Sequence, residues 1–148
     1  MTLDEFIKLE GREFFVSRWL KIDQARINTF AEATLDHQWI HQDAGRCKTD
    51  SPWGTTIAHG FLTLSLIPHF LNGYTSRLEL ERKINYGLNK VRFPEAVRVD
   101  DRVRGRFKLL EAKHLKGKGL KVVIEVTIEI EGREKPACVA INVLLMVG

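Results

Sequence analysis

The second half of the chain carries the clearest pattern. Leu120, Val122, Ile124, Val126, Ile128 and Ile130 alternate with Lys121, Glu125, Thr127 and Glu129. Just before them, Val97, Val99, Val103, Phe107 and Leu109 share one parity, and Arg98, Arg102, Arg104, Arg106 and Lys108 hold the other. A period of two over this length predicts antiparallel strands with one wet face. Lys116-Gly117-Lys118-Gly119 joins the two runs as a hairpin loop. Glu131-Gly132-Arg133 starts the next turn, and residues 137–147 form a last strand. Residues 84–93 and 13–20 are weaker strand candidates.

The first half reads as helix and loop. Asp23 is placed to cap a helix, with Ile22 and Ile27 closing an apolar staple over its first turn. Ile27, Phe30 and Ala31 continue the apolar face to about Ala33. Residues 34–56 are polar, mixed and aperiodic, and a stretch that long in a compact domain is usually functional or hides short helices. A second helix is predicted over residues 58–71, closed by Asn72-Gly73. Phe61, Leu62, Leu64, Leu66, Ile67, Phe70 and Leu71 cover nearly all of its circumference, so it is buried on most sides. The architecture is α+β, an antiparallel sheet with one apolar helix to fill its concave face.

Composition narrows the class. The 148 residues hold 44% hydrophobic and 28% charged residues, which describes one ordinary globular domain over residues 1–148 and excludes disorder as the dominant state. Lys and Arg number 23 against 19 Asp and Glu, for a net charge of +4. The positive charge is interleaved with acids and forms no basic block, which gives nucleic-acid binding little support. A small phosphate-bearing partner suits the mild positive balance equally well. Cys47 and Cys138 belong to no CxxC pair and read as free thiols rather than as a redox or zinc motif. The N-terminus has early acids and no apolar run, unlike a signal peptide, and the apolar stretch 60–71 is too short to span a membrane. The cytoplasm is the expected compartment.

Chemistry concentrates in Asp36-His37-Gln38-Trp39-Ile40-His41-Gln42-Asp43. His37 and His41 share one face of a helix and imitate a zinc-protease motif, but Gln38 replaces the general base and no third ligand follows closely. Asp36 and His41 lie five apart, on different sides of a helix and opposite faces of a strand. They converge only if the chain between them curls, in which case they can hold a water and move its protons, with Trp39 and Ile40 anchoring the loop. The structural alternative makes Asp36 a helix cap and His41 a satisfied buried histidine. His59-Gly60 opens the apolar helix. Gly60 there either lets a ligand carbonyl approach a helix N-terminal N–H, or permits tight helix–sheet packing. Residues 61–72 contain no Asp or Glu, so no carboxylate catalyst comes from this helix. No nucleotide-binding glycine loop or nucleophile elbow is present.

Asp36-His37-Gln38-Trp39-Ile40-His41, Pro52-Trp53-Gly54 and Ile57-Ala58-His59-Gly60-Phe61 together resemble the MaoC-like hydratases and dehydratases, which include the (R)-specific enoyl-CoA hydratases. Asn85-Tyr86-Gly87 and Val91-Arg92-Phe93-Pro94 extend the likeness. The family loop reads Gly-Asp-x-Asn-Pro-(Leu/Ile/Val)-His. Asp36 and His41 keep its acid and base, while Leu35, Gln38 and Trp39 depart from its Gly, Asn and Pro, a variant closest to the nodulation-protein-N-like branch. The resemblance implies a single hot-dog fold, a sheet wrapped around a long central helix, pairing into a homodimer.

It implies that Asp36 and His41 hold the catalytic water. Asp36 acts as base while the water adds to C3 of a trans-2-enoyl-CoA, and His41 orients the water and assists proton delivery to C2. The Gly60 N–H steadies the enolate, and removing such a donor costs about 3 kcal/mol of transition-state stabilisation. Trp39, His59, Phe61 and Leu64 are candidate substrate contacts, Arg92 a candidate phosphate contact, and no cofactor or metal is called for. Two alternatives stay open. One is a hot-dog thioesterase, against which the lack of an acid on the central helix argues. The other is a non-catalytic acyl-thioester-binding module.

Overall fold

The computed structural model describes residues 1–148. A short helix α1 (Leu3–Phe6) and a 3-10 turn (Ile7–Leu9) lead into β1 (Glu13–Val16) and β2 (Leu20–Lys21). The helices α2 (Gln24–Thr34), α3 (Trp39–Gln42), α4 (Ala44–Asp50), α5 (Gly60–Ser65) and α6 (Ile67–Thr75) follow. The chain then builds β3 (Arg82–Arg92), β4 (Arg102–His114), β5 (Gly119–Ile130) and β6 (Cys138–Val147). All pairings are antiparallel, in the order β1-β4-β5-β6-β3, with β2 beside β1 on the same edge of β4. This is the hot-dog arrangement. No helix is long and apolar enough to cross a membrane.

The alternating runs do what their pattern dictates. Val103, Phe107 and Leu109 on β4, the even-numbered residues of β5 from Leu120 to Ile130, and Ala140, Leu144 and Met146 on β6 are buried on the inner face. Ile67, Phe70, Leu71 and Tyr74 of α6 pack against them, with Phe6, Ile22 and Ile27 closing the ends. At about 25 cal/mol per Å² of apolar surface, this layer is the main source of stability. Asp23 caps α2 by accepting from the Arg26 N–H at 2.9 Å. Cys47 and Cys138 are free and buried.

Four expectations are corrected. The central helix is not one run over 58–71. It breaks at Leu66 into α5 and α6, because Pro68 in the first turn of α6 has no N–H to continue the ladder. Asn72-Gly73 does not end it either. Gly73 lies inside α6, where the Phe15 ring lies so close that a Cβ would sit 2.8 Å from its Cζ. Residues 13–20 form two strands, not one. Between them the Ser17 hydroxyl replaces the ladder, accepting from the Gly105 N–H at 2.9 Å. Finally, β4 starts at Arg102, not near Val97. Asp100 adopts a positive φ of 70° that breaks the run, leaving a lone bridge between Ile57 and Arg98.

One strand differs from the others. β3 pairs only with β6, and its opposite edge is free. Ile84, Tyr86 and Leu88 are exposed along it.

Candidate active site

The loop that follows α2 carries Asp36 and His41. Leu35 ends α2 in the left-handed conformation, with φ 61°. The next N–H, that of Asp36, donates back to the Ala31 carbonyl at 3.1 Å. This reversal swings the Asp36 side chain off the helix axis. One turn of helix, α3, then turns His41 inward until it is 6% exposed. The curl that five-residue spacing requires is therefore built from one left-handed residue and one helical turn. One side-chain N or O atom from each of Asp36, His41 and His59 lies within 4.8 Å of the others.

Each imidazole is held by a backbone carbonyl. The His41 Nδ1 donates to the Ile57 carbonyl at 2.7 Å. A carbonyl only accepts, so Nδ1 carries the proton and Nε2 of neutral His41 is a bare lone pair. His59, 3% exposed, donates from Nε2 to the Asp36 carbonyl at 3.0 Å. The two rings stack, with centroids 3.7 Å apart and planes 22° apart. Burial pushes the His41 pKa below the ordinary imidazole value of 6.5. The Ile57 hydrogen bond and the Asp36 charge oppose that shift, and His59 reinforces it. The Asp36 side chain remains half exposed, so the pair opens to solvent on the carboxylate side.

Gln24 of α2 braces the loop from behind. Its amide donates to the His41 carbonyl at 2.7 Å and its oxygen accepts from the Thr56 hydroxyl at 2.5 Å. Sequence reading missed Gln24, and nothing in its local pattern marks it, since both partners are distant in the chain.

The cluster is close enough to suggest a cation, but its geometry does not converge. An ion in the plane of one stacked ring lies about a stacking distance out of the other's plane, and His59 Nε2 is already engaged with a carbonyl. The His37–His41 pair is no chelate either. His37 is exposed, with Nδ1 at 2.8 Å from Gln42 Oε1 and Nε2 near Glu32.

Gly60 is the first residue of α5, directly after His59. The Phe93 ring covers it closely enough that a Cβ would meet it at 3.2 Å. Phe61 is 68% exposed and meets Phe93 edge to face at 6.3 Å. Leu64 lies further along α5, where it lines a cleft of about 370 Å³ with Pro68, Tyr86, Leu88 and Asn142. Trp39 is half-buried, with the Arg46 guanidinium 4.0 Å over its ring. Arg92 is exposed on the edge strand and donates only to the Val91 carbonyl. The fold thus gathers Asp36, His41, His59 and Gly60, puts Phe61 and Phe93 beside them, and leaves Arg92 at the surface.

Comparison with known proteins identifies the family of the chain. The MaoC like domain family matches residues 5–132. The chain is 44% identical over 138 residues to 3-hydroxyacyl-thioester dehydratase Z of Mycobacterium tuberculosis, spanning 93% of this chain and 91% of that protein. It is also 44% identical over 141 residues to Nodulation protein N of Rhizobium meliloti, spanning 95% and 88%. Among solved structures, the (R)-hydratase from A. caviae involved in PHA biosynthesis shares the fold. It has a TM-score of 0.65 at 20% identity, over 88% of this chain and 96% of that one. The class is a hot-dog fold carrying a MaoC-like dehydratase domain. The chain belongs to the MaoC-like dehydratase family.

Proposed function

We propose that the chain catalyses the reversible hydration of a trans-2-enoyl-CoA to the (R)-3-hydroxyacyl-CoA. The observation that carries this is the convergence of the Asp36 carboxylate with the His41 imidazole beside Gly60, at the start of the central helix. The water lies between Asp36 and His41. Its oxygen bonds C3 while Asp36 accepts its proton, and the π electrons of the alkene move onto the thioester as an enolate. The Gly60 N–H, a donor in the first turn of α5 with no intrahelical partner, donates to that oxygen. The proton that Asp36 took from the water then passes to C2 of the enolate, with His41 assisting its delivery, so that H and OH are added and Asp36 returns to its carboxylate. Neutral His41 suits the task, because its bare Nε2 accepts a hydrogen bond from the water and orients the second lone pair.

The acyl chain runs into the cleft lined by Leu64, Pro68, Tyr86 and Leu88. Phe61 flanks the mouth, Trp39 holds the loop, and Arg92 with its neighbours faces the carrier phosphates. The relative named 3-hydroxyacyl-thioester dehydratase supports the thioester chemistry, and the motif resemblance supports the (R) outcome and the cytoplasm, where acyl-CoA is found. The free edge of β3, with Ile84 42%, Tyr86 63% and Leu88 42% exposed, supports a homodimer in which two β3 strands pair.

The test is loss of the enoyl thioester absorbance with crotonyl-CoA. The wild-type protein turns over. Asp36→Asn and His41→Gln each lower kcat by about 10²–10⁴-fold while the fold is kept. Near-normal turnover in either variant defeats the assignment, and release of free thiol from acyl-CoA identifies a thioesterase instead.

A further inference from the structure

We propose that His59 is the positioning residue of the Asp36–His41 pair, holding the peptide of the acid and the face of the base together at the start of α5. The activity readout below rests on the hydration reading, whereas the geometry does not. His59 touches all three parts of the site. Its Nε2–H donates to the Asp36 carbonyl at 3.0 Å. Its ring lies on the His41 ring at 3.7 Å. Its own carbonyl carbon is bonded to the nitrogen of Gly60. Phe30 closes the remaining side at 5.0 Å.

Packing alone does not account for a histidine here. With Nε2 protonated, Nδ1 is an acceptor, and it is buried without a hydrogen-bond partner. Such a group destabilises the fold, and an apolar ring would fill the same space without it. What an apolar ring lacks is the donor to Asp36.

The charge state agrees. The titratable groups facing His41 are Asp36, from the turn after α2, and His59, from the start of α5, while α2 itself contributes the uncharged Gln24. The His59 ring stacked on His41 opposes a positive charge there, so His59 helps to keep His41 neutral.

The test combines ¹⁵N-histidine NMR with pH-dependent turnover of crotonyl-CoA in the full chain. In the wild type, His41 carries its proton on Nδ1 and titrates below 6.5. In His59→Phe the thermal midpoint is unchanged or raised, while the His41 titration moves up. The kcat falls about 10–100-fold with KM within about twofold. His59→Gln, whose side-chain amide reaches the Asp36 carbonyl, recovers several-fold over His59→Phe. His59→Leu supplies the same comparison if the phenylalanine variant does not fold. A merely structural role predicts the reverse order, with the apolar ring as good as histidine.

The proposal is overturned if His59→Phe leaves the His41 titration unmoved, if it keeps turnover within about twofold, or if His59→Gln is no better than His59→Phe. A wild type that shows the NMR response but no hydration refutes the hydration reading and leaves His59 as the residue that positions His41.

Discussion

β5 and the loop from Leu35 to Gly60 solve opposite problems. Along β5, each even-numbered residue from Leu120 to Ile130 is buried, and each contact is one of many similar ones. Any apolar residue of the right size serves there, and stability is spread over the whole inner face. In the loop, single hydrogen bonds decide the geometry. The Ile57 carbonyl sets the tautomer of His41, the Asp36 carbonyl holds His59, and Gln24 pins the His41 peptide. The lesson is that the sheet carries the stability and the loop the proposed chemistry, so one can be damaged without the other.

The sharpest break of this contrast is in the loop. Asp36→Asn costs activity by about three orders of magnitude, yet leaves the urea midpoint close to wild type, because the Asp36 side chain is half exposed and packs against little. A coincident loss of stability and activity would dissolve the division between the two regions.

The next effect comes from the sheet. Ile124→Ala, at a fully buried position, lowers the unfolding free energy by about 2–5 kcal/mol, read from urea unfolding. Its turnover per folded molecule, measured well below the thermal midpoint, stays within a few-fold.

A smaller effect is set by pH. Because the folded state holds His41 below its ordinary 6.5, protonation is disfavoured on folding. That contribution is absent above about 6.5. It appears as a loss of stability as pH falls through 6.5 toward the lowered folded value, read from the urea midpoint across that range. The acid limb of the rate profile likewise falls below 6.5, and a limb above it would show that His41 is not held neutral by its surroundings.

The smallest effect is at Leu35, which is 79% exposed and left-handed. Leu35→Gly removes a backbone penalty of about 1–2 kcal/mol and adds an unfolded-state entropy cost of about 0.5–1. The net gain lies between about 0 and 1.5 kcal/mol, seen as a thermal midpoint up to a few degrees higher. A lower midpoint would mean that the leucine side chain makes a contact that outweighs the strain.

The sheet was readable because its signal is local. Alternation from Leu120 to Ile130 states which face is inner, and Asp23 names its own helix start. The central helix is less legible, since Pro68 breaks it inside an apolar run that reads as continuous over residues 58–71, and Asn72-Gly73 resembles a stop. Gly73 answers to Phe15, a residue 58 positions earlier that no local window contains. The site was readable in part. Its acid, base and Gly60 stood out through motif, but the stacking of His59 on His41 and the bracing by Gln24 join residues 18 and 17 positions apart across separate elements.

What the sequence by itself determined is the class of fold and the inventory of the site. Hydrophobic periodicity is a property of neighbouring residues, and the residue types of the catalytic motif are explicit in the chain. What only the tertiary structure decided is orientation. Whether Asp36 and His41 face each other depends on a left-handed Leu35 and a single turn of α3. Which nitrogen of His41 is bare depends on where the Ile57 carbonyl lies. Hydrogen bonds act over about 3 Å and only along set directions. They exist only after the core has brought their partners together.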